Sequence, residues 1–357
     1  MARIELDLAH AYKINPQRDE DYALLPLKMT FNDGGAYALL GPSGCGKTTM
    51  LNIISGLVKP SHGTVQFDGE DVTTLLPQQR NIAQVFQFPV IYDTMTVAEN
   101  LAFPLKNRGV SPQKISARVG KIAEMLEMSG QLNMRAAGLA ADAKQKISLG
   151  RGLVREDVRA VLFDEPLTVI DPHLKWQLRR KLKQIHSELK LTFVYVTHDQ
   201  VEALTFADQV VVMTRGRAVQ IGSASDLFER PQHTFVGHFI GSPGMNFLPV
   251  KKTSTALEIA GQRVKTDRVM PDLDQFTLGI RPEYVTLTDA SDAGAVQALV
   301  SQTQDVGTYW LITSTVGGHT VRARVGTHQP IPKSGETVHI AVLNSHTCFY
   351  NNEVLIA

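Results

Sequence analysis

Gly41-Pro42-Ser43-Gly44-Cys45-Gly46-Lys47-Thr48 has the spacing G-x-x-x-x-G-K-[ST], and that spacing suits the holding of a polyphosphate. Glycines at three of these positions let the backbone wrap closely where a Cβ would collide. The loop's N–H groups can then point inward at phosphate oxygens. Lys47 supplies a point charge for the β- and γ-phosphates, and the Thr48 hydroxyl can ligate Mg²⁺.

Other residues offer complementary chemistry. In Ala160-Val161-Leu162-Phe163-Asp164-Glu165, four apolar residues lead into two acids. Asp164 is suited to holding Mg²⁺, and Glu165 to orienting or deprotonating a lytic water; a pair of capping carboxylates is the plainer alternative. Gln87 closes a short apolar run and could position the metal and the water, or be an ordinary surface glutamine. His198 could reach a γ-phosphate, or be incidental at a helix start. Tyr12 could stack on an adenine ring or pack on its neighbours.

These groups need elements to place them. Ala36-Tyr37-Ala38-Leu39-Leu40 reads as a buried strand, and the residues from Thr49 onward open a helix whose positive end would face the anion. Gly56 and Pro60 end that helix. Further strands are expected over Ile4–Leu8, Val65–Gly69, Ile82–Phe86, Ala160–Phe163, Phe193–Val196 and Val210–Met213. Residues 96–138 are helical in pattern, with Ser111 and Pro112 as cap and first residue, and Ile115, Val119, Ile122 and Leu126 on the inner stripe. Asp171-Pro172 opens another helix, expected to bury Leu174, Leu178, Leu182, Ile185 and Leu189 behind a solvated basic face. Thr197 and Gln200 have capping-box spacing, which would put His198 in the first turn. Beyond about residue 241 the helical patterns stop. Val321, Ala323 and Val325 alternate with polar residues, and Gly317-Gly318 signals a hairpin.

A chain of 357 residues exceeds one ordinary core, so two domains are expected: 1–241 around the nucleotide, with a helical part over about 96–150, and 242–357 as an all-β accessory domain. Lys+Arg total 36 against Asp+Glu 35, so no global field favours nucleic acid or an anionic membrane surface. No run approaches the ~18 apolar residues of a membrane span. Arg3, Glu5 and Asp7 do not fit a signal peptide, and two distant cysteines, Cys45 and Cys348, suit a reducing cytoplasm. Any membrane role must then come through partners.

Taken together and in order, these motifs resemble the ATP-binding subunits of ABC transporters, most nearly the subgroup serving sugar and polyol importers such as the maltose importer. Tyr12 matches the adenine-stacking aromatic, Gly41 to Thr49 the Walker A motif, and Gln87 the Q-loop glutamine. Leu162 to Pro166 matches Walker B with its catalytic glutamate, Asp171 the D-loop aspartate and His198 the switch histidine. Phe239–Pro243, Met245–Phe247 and Arg281–Glu283 resemble the β domain that this subgroup carries. The resemblance implies an α/β P-loop NTPase core with a helical insertion, followed by an OB-like β barrel. It implies ATP and Mg²⁺ as cofactors, with Thr48, Gln87 and Asp164 at the metal and Glu165, His198 and Gln87 in catalysis. Implied partners are membrane permease subunits, an extracytoplasmic solute-binding protein and a second ATPase, at the cytoplasmic face of a bacterial inner membrane.

One motif departs. Where the family has L-S-G-G-Q, this chain has Leu139-Ala140-Ala141-Asp142-Ala143, followed by a family-like Lys144-Gln145-Lys146; the D-loop is altered at Thr168-Val169-Ile170. The stretch Gln87–Tyr92 and this altered motif resemble the paired ATPases of a bacterial glycerol importer. Two such eroded faces would make two poor sites, so a heterodimer with a complete partner is expected over a homodimer. The rival class is an ATP-dependent regulatory protein with no membrane partner. A soluble kinase lacks any acceptor-site signal.

Overall fold

The computed structural model describes residues 2–168, 170–253, 256–265, 272–292 and 294–356. The chain divides into two compact units, Met1–Ala224 and Ser225–Ala357, earlier than the expected 241/242 boundary. The reason lies in the second unit. Short helices Ala224–Glu229 and Thr234–Phe239 hang on the buried Arg281, whose guanidinium donates to the carbonyls of Phe228, Gly237, Ile240 and Leu227.

In the first unit, six strands form a mostly parallel sheet in the order Arg217–Gly222, Gln209–Thr214, Ala36–Leu40, Phe193–Thr197, Val161–Asp164, Ala83–Val85. All but the first strand pair run parallel. Ala36–Leu40 and Phe193–Thr197 are buried along their whole length, as a sheet covered on both faces requires. A second, antiparallel sheet has the order Leu24–Phe31, Ile4–His10, His62–Phe67, Glu70–Asp71. The helix Lys47–Ser55 shares one core with both sheets through Met50, Leu51, Ile53 and Ile54. Its far end is closed by Gly56 in the left-handed region and by Arg80. That arginine is buried and donates to Ile53 O and Ile54 O at 2.7 and 2.9 Å, a cation set against the negative end of the helix.

The helical insertion consists of Val97–Lys106, Pro112–Met125 and Ala141–Leu153. Thr96 and Glu99 close a reciprocal capping box at its start. Ile115, Val119, Ile122 and Leu126 are buried as expected. Arg118 donates to Val154 O at 2.8 Å and Leu153 O at 3.0 Å, where the third helix ends. The helix Pro172–Leu189 is N-capped by Asp171, but only Leu178, Leu182 and Ile185 of its expected inner residues are buried; Leu174 and Leu189 are half-covered.

Among the described residues the second unit is otherwise built of strands, apart from those short helices and a 3-10 turn at Pro282–Tyr284. One antiparallel sheet has the order Gln262–Val264, Leu257–Ile259, Asn246–Lys252, Gln275–Ile280, Cys348–Asn351, Val354–Leu355. The other has Thr286–Thr288, Thr337–Ala341, Ala295–Asp305, Trp310–Val316, His319–Val325. Leu248, Ile280 and Phe349 from the first share a core with Val296, Ile312 and Val321 from the second. Gly317 and Gly318 (φ 53° and 85°) form the expected two-residue hairpin turn, which pairs Val316 with His319.

Candidate active site

The site is built on the C-terminal ends of the parallel strands. The loop after Ala36–Leu40 carries the residues expected to bind phosphate. Gly41 is required there, because a Cβ would meet Met213 O at 2.2 Å. Gly46 caps the following helix at φ 103°, close under Ala23 O. Pro42, Ser43 and Gly44 lie exposed on the outer turn, and Thr49 is half-buried on the helix. Lys47 is buried, and its ammonium donates to Gly41 O at 2.8 Å and Pro42 O at 2.9 Å. That places the charge inside the curl of the loop. Cys45 is buried beside it, and burial raises its thiol above the usual range, with Lys47 pulling the other way. The sulfur is therefore a packing group here.

Thr48 joins the loop to the neighbouring strand end. Its Oγ1 donates to Asp164 Oδ1 at 3.1 Å. Burial raises the Asp164 carboxyl above its ordinary value; the Thr48 hydrogen bond opposes this, the Glu165 charge adds to it, and Lys47 opposes it. A hydroxyl and a carboxylate are hard oxygen donors of the kind that hold Mg²⁺ together with substrate phosphates. Among the described residues no cluster of three or more His, Cys, Asp or Glu side chains gathers elsewhere for a metal.

Glu165 follows at φ 45°, a left-handed conformation that a non-glycine residue adopts at some cost. Its N–H donates to Val196 O at 3.0 Å on the adjacent strand. Its Oε2 accepts from Thr168 Oγ1 at 3.2 Å and lies 3.1 Å from His198 Nδ1. The sequence did not single out Thr168 as a partner of the carboxylate. His198 precedes the next helix rather than opening it. The cap is Asp199, whose Oδ1 accepts from Val201 N and Glu202 N at 2.7 and 3.1 Å. The expected Thr197 cap is wrong because that residue ends the strand, and its hydroxyl donates to Glu202 at 2.9 Å.

Tyr12 stands at the loop's side, 66% exposed, with its hydroxyl 3.3 Å from Thr49 Oγ1 and its ring edge-on to His10 at 4.6 Å. One free face and a fixed tilt suit stacking. Behind it, Asp21 accepts from Lys13 Nζ and from the N–H groups of Gln17 and Arg18, which hold its carboxyl at about 2. Gln87 lies half-buried just past Ala83–Val85, with no hydrogen bond to its amide among the described residues. Around it Phe86, Phe88, Val90 and Tyr92 are all exposed, an apolar strip along one loop. Asp171 serves as a helix cap, and Val169 of the altered D-loop lies outside the described residues.

The altered signature residues form the start of Ala141–Leu153. Ala140 at the cap position offers no side-chain hydrogen bond, and Asp142 occupies the first turn. Lys144 pairs with Asp93 at 3.0 Å, and the buried Gln145 donates to Pro166 O at 2.7 Å. Sequence alone gave no sign of either contact.

The arrangement sets a buried ammonium inside a backbone loop, a hydroxyl and a carboxylate side by side, and a second carboxylate against an imidazole, groups with the chemistry to take a polyphosphate and a hard cation. Comparison with known proteins identifies the family. The ABC transporter family matches residues 24–168, and the TOBE domain matches residues 278–349. The sn-glycerol-3-phosphate import ATP-binding protein UgpC of Burkholderia thailandensis is 39% identical over 339 residues, covering 92% of this chain and 93% of that protein. The proteins of the same name from Paraburkholderia xenovorans and Escherichia coli K12 are 36% identical over 342 residues and 37% over 339, each covering more than nine-tenths of both chains. In fold, the chain is similar to cbiO1 of Clostridium perfringens, described as part of the ABC transporter complex cbiONQ. The TM-score is 0.58 at 24% identity, over 64% of this chain and 90% of that one.

Proposed function

We propose a role that follows from one premise: the chain belongs to the ABC transporter family of import ATP-binding proteins. It hydrolyses ATP, and the energy drives uptake of a small polyol or its phosphate ester. The observation that carries this role is the gathering of Lys47, Thr48, Asp164, Glu165 and His198 at three adjacent strand ends, with Thr48 bonded to Asp164 and His198 set against Glu165. The solute class is carried over from the relatives named for sn-glycerol-3-phosphate import.

Each residue has a task that its own geometry supports. Lys47 and the loop N–H groups bind and orient the phosphates. Thr48 and Asp164 would hold Mg²⁺, which neutralises charge on the β- and γ-oxygens when bound. Glu165 orients the lytic water and takes its proton, and His198 keeps that carboxylate in place. Gln87, just past the strand that pairs with Val161–Phe163, would be the further contact to metal and water. Tyr12 stacks the adenine. Among the described residues no helix is long and apolar enough to cross a membrane. By analogy with the relatives named for import, the protein works at the inner face of a bacterial membrane by docking on permease subunits, which an extracytoplasmic binding protein supplies with solute. The exposed strip Phe86–Tyr92 is the surface for that docking. Nothing in the charge balance favours nucleic acid.

The test is reconstitution with the permeases encoded beside it, followed by uptake of labelled glycerol and sn-glycerol-3-phosphate. ATP-dependent uptake that Lys47→Ala abolishes supports the role. Regulation by ATP binding with no uptake and no permease association would replace it with the rival, a soluble switch.

The second ATPase is a related chain with a complete signature. Asp142 in the first turn stabilises its own helix end by about 0.3–1 kcal/mol and so occupies the positive end that a partner's γ-phosphate would use. A homodimer would carry two such faces. The pure protein should hydrolyse ATP slowly and the mixture with its partner fast. Full turnover by the pure protein, unchanged in Asp142→Ala, would sink the asymmetric pairing.

A further inference from the structure

We infer that Gln145 is a positioning residue for Glu165 and couples the helix Ala141–Leu153 to the catalytic carboxylate within one chain, an inference that rests on the ATPase role proposed above. Gln145 is 0% exposed. Its Nε2 donates to Pro166 O at 2.7 Å, while its buried Oε1 has no partner. A buried polar atom without a partner costs about 1–3 kcal/mol, and an apolar side chain of similar volume would avoid that cost. The glutamine is thus retained for what its donor does.

That donor grips the one backbone group Pro166 can offer, because proline has no N–H. The residue before it is Glu165, held at φ 45°. A conformation of this kind persists only where the surroundings over-determine it. Two of the restraints come from the neighbouring strand and the turn itself: Val196 O on the Glu165 N–H, and Thr168 with His198 on the carboxylate. The third comes from the helical insertion, through Gln145 alone among the hydrogen bonds from that insertion to the described residues of this turn. A shift of the helix reaches the Glu165 turn directly through that bond, beside the covalent path that runs on through residues 154–160 and the strand Val161–Asp164. The signature residues at the start of this helix are altered, but the helix still reaches its own Glu165 turn through Gln145. The helix can therefore still adjust hydrolysis in the site that this chain's own Lys47 and Glu165 build.

The experiment compares wild type with Gln145→Met in the complete transporter. The expected result is a kcat lower by about tenfold or more, since a carboxylate misplaced by an ångström loses up to roughly 10²-fold. The KM for ATP should stay within about twofold, because no phosphate contact is touched. In the full-length chain, amide exchange at Leu167 and Thr168 should quicken. In a Glu165→Gln background the same substitution should cost nothing further in turnover, as expected when one residue acts through the other. Unchanged turnover and exchange, or losses that multiply in the double variant, would overturn the inference. If Gln145→Met fails to fold, Gln145→Asn keeps the amide, shortens its reach and carries the same expectations. If the wild-type complex does not hydrolyse ATP, the ATPase role falls, and exchange at Leu167 and Thr168 alone decides the linkage.

Discussion

His198 Nδ1 lies 3.1 Å from Glu165 Oε2, and sheet register puts it there. Asp164 pairs with Val196 across two parallel strands, so the residues leaving each strand end emerge side by side. The imidazole can hold the carboxylate only because both strands stop at the same level. Glu165→Gln should still bind ATP but turn it over at least about 10²-fold more slowly, the scale of lost general-base catalysis. His198→Ala should also lower kcat and spare binding. Single-turnover assays on the transporter complex check both; wild-type turnover by Glu165→Gln would remove it as the base.

Lys47→Ala should abolish nucleotide binding or turnover. Its ammonium sits inside the loop on the Gly41 and Pro42 carbonyls, and no other cation lies on that loop. Equilibrium binding of a fluorescent ATP analogue measures this directly. Retained affinity within about threefold, roughly 0.6 kcal/mol, would show that backbone N–H groups alone suffice.

Asp164→Asn should stabilise the metal-free protein at neutral pH. Burial raises the Asp164 carboxyl in the folded state, so folding favours its protonated form. That advantage is present at acid pH and is lost as pH rises from the ordinary carboxylate value through the raised one. Above that window the folded chain carries a buried charge that asparagine lacks. The Tm of Asp164→Asn should exceed wild type at pH 7 and converge with it towards pH 4. With Mg²⁺ and ATP present the order should reverse. A Tm difference independent of pH would sink this account.

A chain cut after Ala224 should fold and bind ATP, since all the site residues lie before that point. A chain cut after residue 241 should behave worse. It would keep Leu227, Val236 and Ile240 without the Arg281 contacts that hold their helices. Soluble yield and ATP binding of the two truncations separate these outcomes. Better behaviour from the longer piece would argue that the two helices belong with the nucleotide unit.

What the sequence made legible was local. The phosphate loop is one contiguous octapeptide, and its strand and helix flank it directly. Asp164 and Glu165 end an apolar run that can only be a buried strand. The hairpin at Gly317-Gly318 announces itself by residue type. Long-range choices were hidden. Thr197 and Asp199 both have side chains that cap helices, and strand pairing with Leu40 and the Glu202 contact decided between them. Gln145 lies 21 positions before its partner Pro166, and no spacing rule connects them. The division between units depended on which carbonyls Arg281 reached, a matter of three dimensions alone.

The exposed strip from Phe86 to Tyr92 has a bearing on how such a protein must be made. Phe88 is 68% and Val90 53% accessible, and the rings at the two ends of the strip, Phe86 and Tyr92, are 40% and 42% accessible. A newly synthesised chain that met no membrane partner would carry this surface bare in a crowded cell, ready to self-associate or to be taken for misfolded. On the docking proposed above, supply of the subunit would have to follow supply of the permease.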